Sequence, residues 1–327
     1  MKQPILSQKK YVSALAVFYT FLWGCAFPLV KLCMSAFRIP PDDDIAKMLL
    51  AGLRFFCSGL LTCSVCLFRR RTASAQGGIC SMRDIALIAQ YALFGTTLQY
   101  ACTYIGLSHI TGSAGALLDQ LCVFLIILAS GLFCRQDRLT ASKLLGCVCG
   151  FLGVLLTASD GAALRFHPEG EGMMLMAAVF QTIAYFLAGR AVRRFSAVWL
   201  VGLSHLLGGL LLAAYSLVRG AELPAVDAKG AALLLALALI SSAAYVLSLL
   251  PLRYFTASEV SVYNLLIPVF GGLMSGLSLK EDIFNLRYLS AMTLIAAGIY
   301  LVNRQQRKGI KHAKANSSDR GFDPHGL

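Results

Sequence analysis

Long apolar stretches alternate with short polar connections along nearly the whole chain. Each stretch has roughly the length that an α-helix needs to cross a bilayer core, about 17 to 25 predominantly apolar residues. The pattern predicts ten spans, at Val12–Ala36, Ala46–Phe68, Ile85–Leu107, Ser113–Phe133, Ala141–Ser159, Gly172–Gly189, Ala197–Val218, Ala231–Leu252, Ala257–Leu277 and Tyr288–Val302. We expect an all-α integral membrane protein. The first span should be retained, because no small-residue cleavage site and polar mature chain follow it.

The second half of this pattern repeats the first. With an offset of 145 positions, Tyr100–Leu156 aligns with Tyr245–Leu301 without a gap. The identical pairs are spread over the segment and include Tyr100/Tyr245, Leu107/Leu252, Thr111/Thr256, Ser113/Ser258, Gly131/Gly276, Asp137/Asp282 and Gly153/Gly298. Nearer the start of each half the offset is 150, where Gly52 matches Gly202 and Gly59 matches Gly209.

Each half holds five spans, an odd number, so the second copy enters the membrane from the opposite side. The predicted fold is therefore ten transmembrane helices in two inverted five-helix repeats, residues 1–160 and 161–303. A basic tail without apolar periodicity follows at 304–327, and we expect it to be disordered. Inverted repeats are a recurring plan of secondary transporters, because two related arrangements can open one midplane site to either side.

Composition and charge restrict the function classes. The 327 residues are 57% hydrophobic and 14% charged, whereas a soluble domain carries about 25% charged residues. The net charge of +13 indicates topology and not nucleic-acid binding, since 20 of the 29 Lys and Arg fall on one side of the predicted membrane, seven on the other and two within spans. The positive-inside rule then places both termini in the cytoplasm, with the spans in the cell (inner or plasma) membrane.

Three ionisable residues lie well inside predicted spans, where burying a charge costs several kcal/mol and favours a functional role. Lys31, Arg54 and Asp119 all fall about 6–12 Å below the predicted outer boundary, at ~1.5 Å per residue. As a site, Arg54 and Lys31 would attract a substrate carboxylate or hold Asp119, and Asp119 would bind a substrate ammonium group or a proton. The alternative is a salt bridge that locks these helices, or a Lys31 side chain that extends to the interface.

Polar and aromatic residues supply further candidates. The repeat places Asn264, which follows Tyr263, opposite Asp119. Pro268, one turn later, would free the Asn264 carbonyl from its helical hydrogen bond, either to bind a ligand or merely to kink the helix.

Two pairs of polar residues share a helix face at a spacing of four. Tyr100 and Tyr104 do so on the third span, and Gln181 and Tyr185 on the sixth. With Trp23 they would form an amphipathic wall for an amino acid or aromatic metabolite. The alternative is anchoring at the membrane interface, which is favoured for Tyr104 near its span end. His205, a lone polar residue in the seventh span, is interpreted as a hydrogen-bonded packing group.

Motifs for ATP or metal chemistry are absent from the sequence. There is no Gly-x4-Gly-Lys-Ser/Thr loop and no His-Glu-x2-His. Nine of the eleven cysteines lie inside apolar runs, where packing is the better interpretation than disulfides or a zinc site. We expect no cofactor and no metal, and therefore secondary or facilitated transport.

Several segments, by their order and spacing, resemble the EamA-type family of the drug/metabolite transporter superfamily over about residues 12–302. They are Phe21-Leu22-Trp23-Gly24 with Lys31, Leu132–Leu139 leading into Gly146-x3-Gly150, Ile267-Pro268-Val269-Phe270, and Leu279-Lys280-Glu281-Asp282 followed by Ala297-Gly298. The resemblance implies a basket of helices around a central cavity, and export or exchange of small metabolites such as amino acids. Two features depart from the family pattern: Val123 stands where the second half has Pro268, and the first half carries Asp119.

We therefore predict a non-enzymatic transporter that works by alternating access. Its predicted substrate-binding residues are Trp23, Arg54, Tyr100, Asp119, Gln181, Tyr185, Tyr263 and Asn264. The expected partners are a small-molecule metabolite and membrane lipid, with a proton and a second copy of the chain left open. Two alternatives are an intramembrane enzyme that uses Asp119 and His205 as an acid/base pair, and a receptor or assembly subunit that signals through the tail.

Overall fold

The computed structural model describes residues 9–70, 81–133, 140–157, 159–160, 163–164, 167–222, 227–255, 260–282, 285–286, 288–298 and 300–301. Most of these residues are helical. The helices are α1 (Lys9–Ala36), α2 (Asp44–Arg70), α3 (Met82–Ala92), α4 (Gln99–His109), α5 (Gly112–Leu118), α6 (Leu121–Phe133), α7 (Ala141–Thr157), α8 (Met173–Ala191), α9 (Ala197–Val218), α10 (Ala228–Leu249), α11 (Leu266–Leu279) and α12 (Tyr288–Gly298). Two short antiparallel strands, β1 (Ser159–Asp160) and β2 (Ala163–Leu164), follow α7.

Helical segments lie at all ten predicted positions. Six are long and apolar enough to cross a membrane, at Tyr11–Ala36, Asp44–Phe68, Gly112–Leu132, Pro168–Ala191, Ala197–Val218 and Ala228–Arg253. Shorter apolar helices lie at Ala141–Gly153, Leu266–Leu279 and Tyr288–Gly298. The prediction of an all-helical membrane protein is confirmed at this level. The tail at 304–327, Cys80, Cys134 and the turn at Asp137 lie outside the described residues.

Local sequence signals set several helix ends. Ser81, Thr111, Ser196 and Asp227 each precede a helix, and each side chain accepts a hydrogen bond from a backbone N–H of the first turn. These caps satisfy donors that have no partner inside the helix. After α9 the backbone of Gly220 adopts a φ of 89°, a conformation that glycine tolerates best, and the helix ends there.

Three helices are interrupted inside the bundle. A π-helical turn, Leu93–Leu98, joins α3 to α4. A turn at Asp119 and Gln120 separates α5 from α6, and a 3-10 turn, Val262–Leu265, precedes α11. Irregular backbone at membrane depth is tolerated where it is buried in protein or lines a cavity, so these interruptions direct attention to the space that they surround.

The helices α2 and α9 pack closely and run antiparallel. Small residues allow the approach: a Cβ added to Gly52 would lie 2.6 Å from Ala213 N, and one added to Gly59 would lie 2.5 Å from Leu206 N. The same contact types recur with the two helices exchanged, since Gly202 faces Cys63 and Gly209 faces Phe56. Residue numbers rise along one helix as they fall along the other.

The remaining helices surround this pair. In one group, α1 packs against α10 and α11; in the other, α8 packs against α4 and α6. The helices α7 and α12 pack on each other through glycine, because a Cβ added to Gly153 would lie 2.8 Å from Ala291 O, and one added to Gly298 would lie 2.9 Å from Gly150 N. The two groups leave a central cavity between them.

Candidate functional site

A central cavity lies between the two groups of helices, beside all three helix interruptions. Its lining comes from seven of the predicted spans: Trp23, Ala26, Phe27, Val30, Arg54, Tyr91, Gly95, Gln99, Tyr100, Thr103, Tyr104, Leu107, Asp119, Gln181, Ala184, Tyr185, Ala188, Tyr245, Ser248, Leu249, Asn264 and Ile267. It encloses about 840 Å³ not occupied by atoms, mouth included, of which about 70 Å³ is wide enough for the centre of a water molecule. That is room for about five waters, which in this conformation suits a small metabolite.

The side chain of Arg54 on α2 is buried, with 1% of its surface exposed. Its Nε donates to Ser241 Oγ at 2.8 Å and its Nη1 donates to the Tyr104 hydroxyl at 3.2 Å. The guanidinium carbon lies 5.0 Å from the ring centroid of Phe55 and 5.6 Å from that of Tyr100, so cation–π attraction adds to these bonds. The buried Nη2 has no hydrogen-bond partner among the described residues. This donor is available to an anionic group in the cavity.

Asp119 brings the opposite charge to the same cavity. It occupies the turn that ends α5, and its backbone N–H donates to Gly115 O at 3.0 Å. No described residue forms a hydrogen bond or an ion pair with its carboxylate, and in particular Arg54 does not neutralise it. A lone carboxylate away from bulk water is costly, and a cationic group or a proton would relieve that cost.

Two further polar groups in the lining have no protein partner. The hydroxyl of Tyr185 on α8 and Oδ1 of Asn264 on the 3-10 turn are both buried, and neither has a hydrogen-bond partner among the described residues. Unmade hydrogen bonds of this kind cost about 1–3 kcal/mol each. Their number in one cavity is typical of a binding site rather than of a packed core.

Aromatic side chains form the wall between these polar groups. The hydroxyl of Tyr245 donates to the Tyr100 hydroxyl at 2.9 Å and lies 3.3 Å from Gly95 O in the π-helical turn. The Trp23 ring packs edge-on against Tyr245, with 4.7 Å between centroids. Sequence reasoning did not place Tyr245 in the site, although the repeat pairs it with Tyr100. That pairing was the signal that could have found it.

Seven of the eight predicted site residues line this cavity, and Tyr263 does not. The Tyr263 hydroxyl is within 3.0 Å of Ser13 Oγ on α1. Its neighbour Asn264 faces the cavity, and adjacent residues of a helical turn point in directions about 100° apart. The geometry of Tyr104 also differs from the interfacial anchor that was favoured for it, because this residue is fully buried and binds Arg54.

Lys31 does not join Arg54 and Asp119 in the cavity. Its Nζ donates to the carbonyl oxygens of Leu107, at 3.4 Å, and Ile110, at the C-terminal end of α4. A cation at that end also complements the helix dipole. Lys31 lines a separate pocket with Glu281, whose carboxylate accepts hydrogen bonds from Gly112 N at 2.8 Å and Ser113 N at 3.0 Å. The predicted cluster of three charges is therefore two charges in one cavity and a helix-capping lysine elsewhere.

His205 also lies outside the cavity lining. Its Nδ1 is 2.8 Å from Ser58 Oγ, and its ring packs against Phe55 and Tyr245. This agrees with a hydrogen-bonded packing group, and Asp119 and His205 do not come together as an acid/base pair. Among the described residues, no group of three His, Cys, Asp or Glu side chains is arranged to hold a metal ion.

A bundle of apolar helices around an aromatic cavity with unpartnered charged groups is the architecture of a membrane transporter. The comparisons with known proteins agree. The sequence model of the EamA-like transporter family matches residues 11–159 and, a second time, residues 169–304. The chain belongs to this family, and as a multi-pass membrane transporter it takes a small-molecule substrate and not an enzyme's reaction.

Several relatives carry the same description. The transporter YvbV of Bacillus subtilis is 26% identical over 91% of this chain and 93% of its own length. A transporter of Archaeoglobus fulgidus is 23% identical over 91% of this chain and 100% of its own. A WAT1-related chloroplastic protein of Arabidopsis thaliana is 25% identical over 86% of this chain. A solved crystal structure, at 18% identity, aligns with a TM-score of 0.66 over 90% of this chain and shows the same fold.

Proposed function

We propose that this protein is a secondary or facilitative transporter of small zwitterionic metabolites such as amino acids. The observation that carries the proposal is the charge arrangement in the cavity. An unpaired guanidinium nitrogen of Arg54 and an unpaired carboxylate of Asp119 line one enclosed space. A solute with one carboxylate and one ammonium group would satisfy both at once, and the aromatic wall would hold its apolar part.

Alternating access between two inverted five-helix repeats, residues 1–160 and 161–303, is the proposed mechanism. The packing of α2 on α9 supports the repeats, because the contacts come in exchanged pairs. Gly52 faces Ala213 as Gly202 faces Cys63, and Gly59 faces Leu206 as Gly209 faces Phe56. Adding the offset of 150 to one member of each pair gives its counterpart.

Two further observations support the inverted relation. The antiparallel course of α2 and α9 is what inversion requires, since parallel repeats would run these helices in the same direction. The contacts of Gly153 with Ala291 and of Gly298 with Gly146, between α7 and α12, are exchanged in the same way under the offset of 145. The family model also matches the chain twice, once in each half.

In this proposal Arg54 binds the substrate carboxylate and Asp119 binds the ammonium group or a coupling proton. Trp23, Tyr100, Gln181 and Tyr185 form the wall, and Asn264 supplies an amide oxygen. Tyr263 supports its neighbour through its contact with Ser13. The excess of Lys and Arg on one side supports cytoplasmic termini in a plasma or inner membrane, and export is the direction that the family resemblance favours.

Counterflow with the purified full-length protein in liposomes tests this function. The panel consists of neutral, aromatic, acidic and basic amino acids, together with amines and acids that lack either the carboxylate or the ammonium group. Each compound is measured with and without a pH gradient. We expect exchange of zwitterions, with the singly charged analogues at least tenfold slower. Equal rates for a zwitterion and both of its analogues would contradict the assigned roles of Arg54 and Asp119.

Asp119→Asn isolates the carboxylate, because the two side chains have nearly the same shape. We expect about tenfold slower counterflow, from the loss of a charge-assisted bond worth about 1.5–3 kcal/mol. The dependence of the rate on the pH gradient should also weaken if Asp119 carries a proton. Wild-type rates together with a wild-type pH dependence would remove Asp119 from the mechanism.

A further inference from the structure

The guanidinium of Arg54 is held at two of its three nitrogens. Ser241 on α10 accepts from Nε and Tyr104 on α4 accepts from Nη1, which leaves Nη2 without a protein partner. A guanidinium is planar, with its five N–H bonds in a fixed fork. Two contacts on different helices therefore fix its plane, and the unbonded nitrogen must point where the plane directs it.

Ser241 is built to act only as an acceptor. It is fully buried, and its hydroxyl proton goes to the Leu237 carbonyl one turn earlier, at 2.8 Å. The oxygen lone pairs are then left for Nε of Arg54, at 2.8 Å. The bond to Tyr104 is longer, at 3.2 Å, so the Ser241 contact is the tighter of the two.

We infer that Ser241 is a positioning residue, which aims Nη2 of Arg54 into the cavity and so sets the preference for a carboxylate. The inference rests on the proposed function, because the carboxylate is the group that Arg54 is proposed to bind. Without Ser241 a buried charged donor loses its acceptor, an unfavourable state that the side chain relieves by turning. The positively charged group then remains in the bundle but no longer faces the substrate.

The next residue supplies a matched control. Ser242 has the same side chain on the same helix, but its Oγ lies 2.9 Å from Ser58 Oγ and donates toward Ser58 O at 3.0 Å. It makes no contact with Arg54. Ser242→Ala thus removes an equivalent helix-to-helix hydrogen bond between α10 and α2 without touching the guanidinium.

The orientation of Arg54 can be read without any substrate. In full-length protein labelled with ¹⁵Nε-arginine and purified in detergent, the slowly exchanging Nε–H signal of Arg54 is identified by its absence in Arg54→Gln. We expect Ser241→Ala to shift this signal and to speed its hydrogen exchange at least tenfold. Ser242→Ala should leave it unchanged and Ser241→Thr should restore it. An unchanged signal in Ser241→Ala, or no protected signal in the wild type, would overturn the inference.

The transport consequence is measured in liposomes with L-phenylalanine and L-phenylalaninamide as probes. Ser241→Ala should raise the half-saturating concentration of L-phenylalanine about tenfold, the effect of one charge-assisted hydrogen bond, and that of the amide less than twofold. A merely structural role would weaken both probes equally and would overturn the inference. If Arg54→Gln itself leaves the ratio of the two probes unchanged, the proposed carboxylate role of Arg54 fails, whatever the Nε signal of Ser241→Ala shows.

Discussion

The centre of the molecule contains two versions of one arrangement of side chains. In the first half Phe55 of α2 packs on Tyr100 of α4, with 4.2 Å between ring centroids. In the second half His205 of α9 packs on Tyr245 of α10 at 4.7 Å. The offset of 150 relates Phe55 to His205, and the offset of 145 relates Tyr100 to Tyr245. Both related pairs meet, since Phe55 and His205 lie 5.0 Å apart and the two tyrosine hydroxyls are hydrogen bonded.

The chemistry of the two versions differs where their geometry agrees. Arg54 precedes Phe55 and places a cation over the aromatic rings. The related position before His205 is Ser204, whose hydroxyl donates only to the Val201 carbonyl of its own helix, at 3.2 Å. Asp119 and its counterpart Asn264 differ in the same sense. Duplication therefore accounts for the scaffold, whereas the charges that define the proposed site belong to the first half alone.

The largest expected effect follows from removing the charge that the second half lacks. Arg54→Gln should lower kcat/KM for counterflow of L-phenylalanine at least thirtyfold, about 2 kcal/mol, because a buried charge pair is broken on one side. Ser204→Ala, the related change in the second half, should stay within twofold of the wild type. Thermal unfolding in detergent distinguishes a lost site from a lost fold.

Arg54→Lys sharpens this result. Lysine keeps the charge but loses the planar fork that Ser241 and Tyr104 hold, so an intermediate rate is expected. If Ser204→Ala impairs transport as strongly as Arg54→Gln, the two halves contribute equally, and the asymmetry of charge does not define the site.

The second effect concerns positions where the halves are alike. Gly153 and Gly298 are related by the repeat and each lies against backbone atoms of the other's helix. An added methyl group forces α7 and α12 apart, so Gly153→Ala and Gly298→Ala should each destabilise the protein by about 1–3 kcal/mol. Thermal unfolding in detergent measures this.

Gly189 on α8 is the control for both glycines, because a Cβ added there meets nothing within 4 Å. Gly189→Ala should leave the unfolding temperature unchanged or raise it slightly, since alanine favours a helix over glycine by about 1 kcal/mol. Tolerance of alanine at one of the related glycines but not at the other would break the equivalence of the two contacts.

The sequence pattern predicted the helices well and the lining of the cavity in large part. Apolar length marks a membrane helix directly, so helices lie at all ten predicted positions. Seven of the eight proposed site residues face the cavity, and their function stays a prediction. Polar side chains inside apolar spans are informative because lipid excludes them, which leaves only the interior to accept them.

What the sequence could not provide is the direction in which each side chain points. Counting residues from a span end gives depth but not the face of the helix, so Lys31 appeared beside Arg54 and in fact caps α4. Tyr263 was assigned together with Asn264 for the same reason. Ser241 gave no signal, since a serine in a helix commonly bonds its own backbone. The π-helical turn of Leu93–Leu98 accompanies a tertiary bond from Tyr245 to Gly95, which local sequence does not specify.

The smallest expected effect concerns the tyrosine pair, where the halves share a residue type but not a hydrogen-bonding role. Tyr245 donates to Tyr100 and has Gly95 O as a second acceptor, so the hydroxyl proton of Tyr100 remains for the cavity. Tyr100→Phe should slow counterflow of L-phenylalanine about fivefold, the loss of one hydrogen bond of about 1 kcal/mol. Tyr245→Phe should stay within twofold. The double variant should resemble Tyr100→Phe, because the two changes remove one shared bond and are not additive. Equal losses in the two single variants, adding fully in the double, would mean that each hydroxyl acts independently and that the halves are chemically equivalent at this point.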